Sequence, residues 1–113
     1  MTKAASLTVY CLCAAWCRTC DSYKKVFEDF GRDNAERANL VWVDIEDSNE
    51  AMEDVEVENF PSLLIAKAQE VYFFGPVVPY TPVLSRLVEQ YSGSEAKPLN
   101  NQALRILNQR LMG

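Results

Sequence analysis

Residues 7–12, Leu-Thr-Val-Tyr-Cys-Leu, are apolar and β-prone and run directly into a cluster of cysteines, which predicts a buried strand ending at a site. Beyond the cluster, Cys20, Tyr23, Phe27 and Phe30 recur at helical spacing, while Asp21, Lys24, Lys25, Glu28 and Asp29 take the other faces. A helix follows from that spacing, with Gly31 as its expected stop. Residues 40–45, Leu-Val-Trp-Val-Asp-Ile, predict a second strand with Trp42 in the core, and Asp47 with Glu50 resembles a capping box opening a short acidic helix. Repulsion between Glu50 and Asp54, one turn apart, works against that helix. Residues 62–66 and 71–74 lie at hairpin spacing. Thr81 as N-cap, Pro82 in the first turn, the apolar set Val83, Leu84, Leu87, Val88 and Tyr91, and Gly93 afterwards mark a further helix. A polar linker near 92–98 then leads to an amphipathic segment over 100–112, with Ala103, Leu104, Leu107 and Leu111 on one stripe.

The order strand, helix, strand, helix, strand, strand, helix predicts one mixed α/β sheet of about four strands with helices on both faces. A chain of 113 residues, 49% of them hydrophobic and 24% charged, suits one domain with its own core and leaves no room for a second. Residues 1–93 are expected to form that domain, with 94–113 supplying the linker and a last helix docked on it. Docking in cis is expected because a lone helix of that length is only marginally stable in water. A monomer follows, and a dimer through the last helix is the alternative. The net charge of -5 argues against nucleic acid, whose binding rests on Lys and Arg neutralising phosphates. No apolar stretch approaches bilayer-spanning length, so a soluble cytoplasmic protein without a membrane partner is expected.

All four cysteines, Cys11, Cys13, Cys17 and Cys20, fall within ten residues, so they cannot staple distant parts of the chain. Clustered thiols point to redox chemistry or metal binding, and the absence of histidine removes Cys-His and Ser-His catalysis and mixed Cys/His zinc sites. Cys17 falls at the start of the first predicted helix, where unpaired N–H groups and the helix dipole favour a thiolate. Cys20, a turn further on, is near enough to close a disulfide with it and lies toward the helix interior. That asymmetry casts Cys17 as nucleophile and Cys20 as resolving thiol, with the Arg18 charge beside the attacking sulfur. On an extended strand Cys11 and Cys13 share one buried face, which makes them packing residues first and a back-up resolving thiol second. The same geometry disfavours a four-sulfur metal site, and no metal or other cofactor is expected.

Ala15-Trp16-Cys17-Arg18-Thr19-Cys20 after a strand, together with Phe60-Pro61-Ser62-Leu63-Leu64 downstream, resembles the thioredoxin family over about residues 7–91. Val43-Asp44-Ile45, Gly75 and the tryptophan before the first cysteine are similar to further family marks. The resemblance implies a thioredoxin-like fold, a cis peptide bond at Pro61 facing the cysteine pair, and a substrate groove formed by Trp16, Arg18, Thr19, Phe60 and Pro61. It also implies a thiol–disulfide oxidoreductase acting on protein or small-molecule disulfides, reduced by a thioredoxin reductase-type donor or a small thiol. Three departures stand out: Cys11 occupies the place of the family's buried acid, Arg18-Thr19 replaces the usual Gly-Pro, and the family's first strand and helix have no counterpart.

Eight acids and no Lys or Arg lie between Asp44 and Glu58, which reads first as a solvated face. Glu58, three residues before Pro61, is expected to border the groove and to favour basic target segments. Two other function classes remain open from sequence: a redox-inert adaptor binding a partner through the Pro61 loop, and a cysteine-cluster metal module.

Overall fold

The computed structural model describes residues 7–14, 17–46, 52, 55, 57, 60–92 and 97–112. Strand β1 (Leu7–Cys13) leads through helix α1 (Arg18–Asp33) to β2 (Ala38–Asp44), followed by β3 (Ser62–Lys67), β4 (Glu70–Pro76), α2 (Thr81–Ser92) and α3 (Gln102–Met112). The sheet order is β2-β1-β3-β4. β1 pairs in parallel with β2 and antiparallel with β3, and β3 pairs antiparallel with β4, so the sheet is mixed as expected. An apolar strand with almost every residue buried belongs in the middle of such a sheet, and β1 holds that place.

Because side chains alternate along a strand, β1 feeds two cores. Leu7, Val9, Cys11 and Cys13 join Tyr23, Phe27 and Phe30 of α1 and Leu84 and Val88 of α2. Tyr10 and Leu12 join Val43, Leu64, Val71 and Met52, covered by Leu104 and Leu107 of α3. Helices therefore lie on both faces. α3 is seated by more than its stripe: Asn108 donates to the Ala68 carbonyl at 3.0 Å, and Arg105 meets Glu70 at 3.1 Å. Asn101 caps the helix by accepting the Leu104 N–H at 3.1 Å.

Three local expectations need correction. Gly31 does not end α1, which runs to Asp33 and closes at Asn34, whose backbone and side-chain N–H groups both donate to Phe30 O at 2.9 Å. Gly31 instead admits β2, since a Cβ there would sit 3.1 Å from Leu40 Cβ. At α2 the first carbonyl to accept is that of Tyr80, from Leu84 N–H at 3.3 Å, so the helix starts one residue earlier than Thr81 as cap implies. Trp42 is only half-buried, because β2 is an edge strand; its ring meets Phe27 edge-on with centroids 5.8 Å apart. The capping box at Asp47 and Glu50 and the stop at Gly93 lie outside the described residues.

Candidate active site

The carboxyl end of β1 and the start of α1 build the site. Cys17 is the N-cap of α1, with extended φ and ψ of -87° and 113°, and its sulfur accepts the Cys20 N–H at 3.4 Å. Its own N–H donates to Ala14 O at 3.0 Å, and its carbonyl accepts Asp21 N–H at 3.2 Å. The Cys17 sulfur thus occupies the place that Ser or Asp takes at ordinary helix starts, where negative charge meets free backbone donors. Cys17 is half-buried, Arg18 and Thr19 are exposed beside it, and Cys20 turns into the core.

Pro61 lies at the same end of the sheet. Leu12 pairs with Ser62, so one step further along the ladder Cys13 comes opposite Pro61. The Phe60–Pro61 peptide bond is cis, and the Pro61 carbonyl accepts Val77 N–H at 3.0 Å, which fixes the loop to the end of β4. Phe60 packs half-buried against the same core as Cys17, and Pro61 is buried. Trp16 and Glu58 lie outside the described residues.

The sulfur pairing departs from expectation. Cys20 is bonded to Cys13, with 6.0 Å between the Cα atoms, and Cys17 and Cys11 are the free thiols. Cys13 is thus no mere packing residue. The reason is layer geometry: odd positions of β1 face α1, and the chain turns back so soon after Ala14 that the first inward residue of α1 lies over the last inward residue of β1. Cys17 stays a free thiol on the other side of Cys20, held to it by the Cys20 N–H that reaches the Cys17 sulfur at 3.4 Å. Strand parity, readable in the sequence, puts Cys11 and Cys13 on one buried face; that Cys20 meets this face at Cys13 comes from the structure.

Two groups escaped the sequence reading. A cleft of about 180 Å³ lies against the disulfide, lined by Cys13, Cys20, Asp21, Lys24, Trp42 and Asp44. In the same core as the disulfide, the Tyr23 hydroxyl is buried with no hydrogen-bond partner among the described residues. Burial, with a smaller contribution from charge at Cys11, raises its phenol above the ordinary range. The Cys11 thiol is pushed up to about 12, chiefly by burial and secondly by charge on Cys17. It therefore stays protonated at neutral pH and cannot take a proton as a buried carboxylate would. Its sulfur lies 3.6 Å from that of Cys13.

A four-stranded mixed sheet with helices on both faces, a cysteine capping the first helix and a cis-proline beside it define a thioredoxin-fold protein of the thiol-exchanging kind. Solved structures agree on the fold: thioredoxin from Fasciola hepatica superposes with a TM-score of 0.68 at 18% identity, covering 77% of this chain and 82% of that one. The germline-specific thioredoxin Deadhead of Drosophila melanogaster gives 0.67 at 16% identity, covering 75% and 80%. Thioredoxin from Plasmodium falciparum gives 0.67 at 18%, covering 77% and 83%. The sequence profile described as Thioredoxin matches residues 1–75, and the chain belongs to the thioredoxin family. No curated protein sequence matches it. Its activity is thiol–disulfide exchange, as an oxidoreductase.

Proposed function

We propose that Cys17 is the attacking thiolate and Cys20 the resolving thiol in reduction of disulfides presented by extended protein segments. The Cys17 sulfur at the N-cap of α1, half-exposed and facing the Cys20 N–H, is the observation that carries this reading. Attack joins Cys17 to one substrate sulfur and releases the other as thiolate; Cys20 then displaces the bound half and closes on Cys17. In this reading the substrate segment lies along Phe60 and cis-Pro61 beside Arg18 and Thr19, and Trp16 and Glu58 are the further groove residues that the sequence proposes. Electrons return from a thioredoxin reductase-type donor or a small thiol, in the reducing cytoplasm. Among the described residues no helix is long and apolar enough to cross a membrane. The working unit in this reading is the monomer, with residues 1–93 as the domain and 94–113 docked on it.

A Cys20→Ser chain mixed with a disulfide-bonded model protein tests the assignment. A mixed disulfide on Cys17 accumulates, visible by mass before reduction. A substrate attached elsewhere, or nowhere, overturns it. Glu58→Lys should reverse the preference between basic and acidic model disulfides, and an unchanged ranking removes Glu58 from the groove.

A further inference from the structure

We propose that Cys13 is a third redox cysteine, which takes Cys20 over from Cys17 and stores the oxidation in a buried Cys13–Cys20 bond while returning Cys17 to its free form. The proposal rests on the reading that Cys17 attacks and Cys20 resolves. Cys20 stands between two partners: its N–H donates to the Cys17 sulfur at 3.4 Å, and its own sulfur is bonded to Cys13. A change of side-chain rotamer carries a helical cysteine sulfur from one side to the other, and the cleft lined by both bonded cysteines gives it room to move.

The exchange balances without any outside oxidant. In the Cys17–Cys20 form, the Cys13 sulfur attacks the Cys20 sulfur; a Cys13–Cys20 bond forms and the Cys17–Cys20 bond breaks. The electron pair of the broken bond leaves on Cys17, and the proton lost by Cys13 offsets the negative charge arriving there. One disulfide and one thiol stand on each side of the step, so nothing is oxidised or reduced overall. In the reverse direction Cys17 attacks Cys20 and Cys13 departs. Cys11 then has a use as a positioning residue. With Cys13 in a disulfide, the hydrogen in the 3.6 Å sulfur contact belongs to Cys11, and its S–H meets charge as it develops on departing Cys13. Lys24, on the same cleft, is the nearby cation.

The consequence concerns access. Cys13 and Cys20 are each 1% exposed, whereas Cys17 reaches solvent. A conventional oxidised pair presents no free thiol at its mouth. Here the oxidised protein keeps one, so reductant must enter through Cys17, and Cys17 can capture a second disulfide before the first two electrons are returned.

The test uses the full chain, reduced and then exposed to glutathione disulfide. Samples are acid-quenched over time, alkylated, digested with trypsin and chymotrypsin without reduction, and mapped by mass spectrometry. Cleavage after Trp16 and Arg18 puts Cys13, Cys17 and Cys20 on three separate peptides. The Cys17–Cys20 pair should rise first and fall as Cys13–Cys20 replaces it, leaving Cys17 fully alkylated in the oxidised end product. A stable Cys17–Cys20 end product with Cys13 alkylated throughout overturns the relay and leaves the attack reading intact. No adduct or bond at Cys17 at any time overturns the attack reading itself. Cys13→Ala should stop at Cys17–Cys20 and lose the alkylatable Cys17 of the oxidised state; retention of that thiol in the variant also overturns the relay. The wild-type time course decides the question even if the variant does not fold.

Discussion

The two faces of the sheet are built from the same strand and do different work. On the α3 face, Tyr10 and Leu12 meet Leu64, Val71, Leu104 and Leu107, a core of ordinary apolar side chains whose only task is cohesion. On the α1 face, the same strand contributes Cys11 and Cys13, which meet Cys20, with the Tyr23 hydroxyl, unpartnered among the described residues, also buried there. Sulfur is small and polarisable and packs well enough to replace Val or Ala, but it brings reactivity that Leu does not. The contrast teaches that one face of this protein holds it together while the other holds it together and keeps its chemistry. Substitutions should therefore separate the two faces by what they change.

The largest effect on stability belongs to the quiet face. Leu107→Ala removes a fully buried side chain that seats α3 and should cost about 2–5 kcal/mol. The disulfide map should be unaltered, and denaturant unfolding with peptide mapping checks both; a changed map breaks the division between faces. Next comes Asn108→Ala on the same helix, which gives up the hydrogen bond to the carbonyl of exposed Ala68 together with a buried side-chain oxygen that has no partner among the described residues, and should cost about 0.5–1.5 kcal/mol. Smaller still is Tyr23→Phe on the thiol face. It deletes a buried hydroxyl that has no partner among the described residues, so stability should hold or rise by up to about 1 kcal/mol. A clear loss would show that the hydroxyl is hydrogen-bonded in solution.

The last prediction is a slope rather than an offset. The Cys11 thiol titrates at about 12 in the fold against 9.0 for a free thiol, so the folded state holds its proton longer than the unfolded chain does. Stability from this group is complete below pH about 9 and falls as pH rises toward 12. Tyr23, shifted in the same direction, adds to the fall at the upper end. Cys11→Ala should flatten the alkaline decline measured by unfolding at stepped pH, and an unchanged slope would remove Cys11 from the interior thiol cluster.

Much of this was legible in the chain. Apolar, β-prone runs located the four described strands and helical spacing the three described helices, because burial of apolar residues sets those patterns. Pro61 was placed through the resemblance of Phe60-Pro61-Ser62-Leu63-Leu64, while its approach to the cysteines depends on the register of Leu12 with Ser62, a long-range pairing that local pattern does not encode. Gly31 misled because a glycine at a helix end and a glycine at a close helix–strand approach look alike until the neighbour, here Leu40, is known. Trp42 misled for a similar reason: an apolar strand reads the same at the edge of a sheet as at its centre. Cys13 was legible as buried and not as bonded, since its partner depends on how tightly the chain turns from β1 into α1.

The account stands on one claim, that all exchange with substrate passes through the Cys17 sulfur. Steady-state reduction of a model protein disulfide by a dithiol, compared between the wild type and Cys17→Ser, tests it most directly. The variant should fall to the rate of the dithiol alone while Leu107→Ala, below its melting temperature, keeps its activity. Catalysis surviving in Cys17→Ser at the wild-type rate would contradict the claim and move the chemistry to another sulfur.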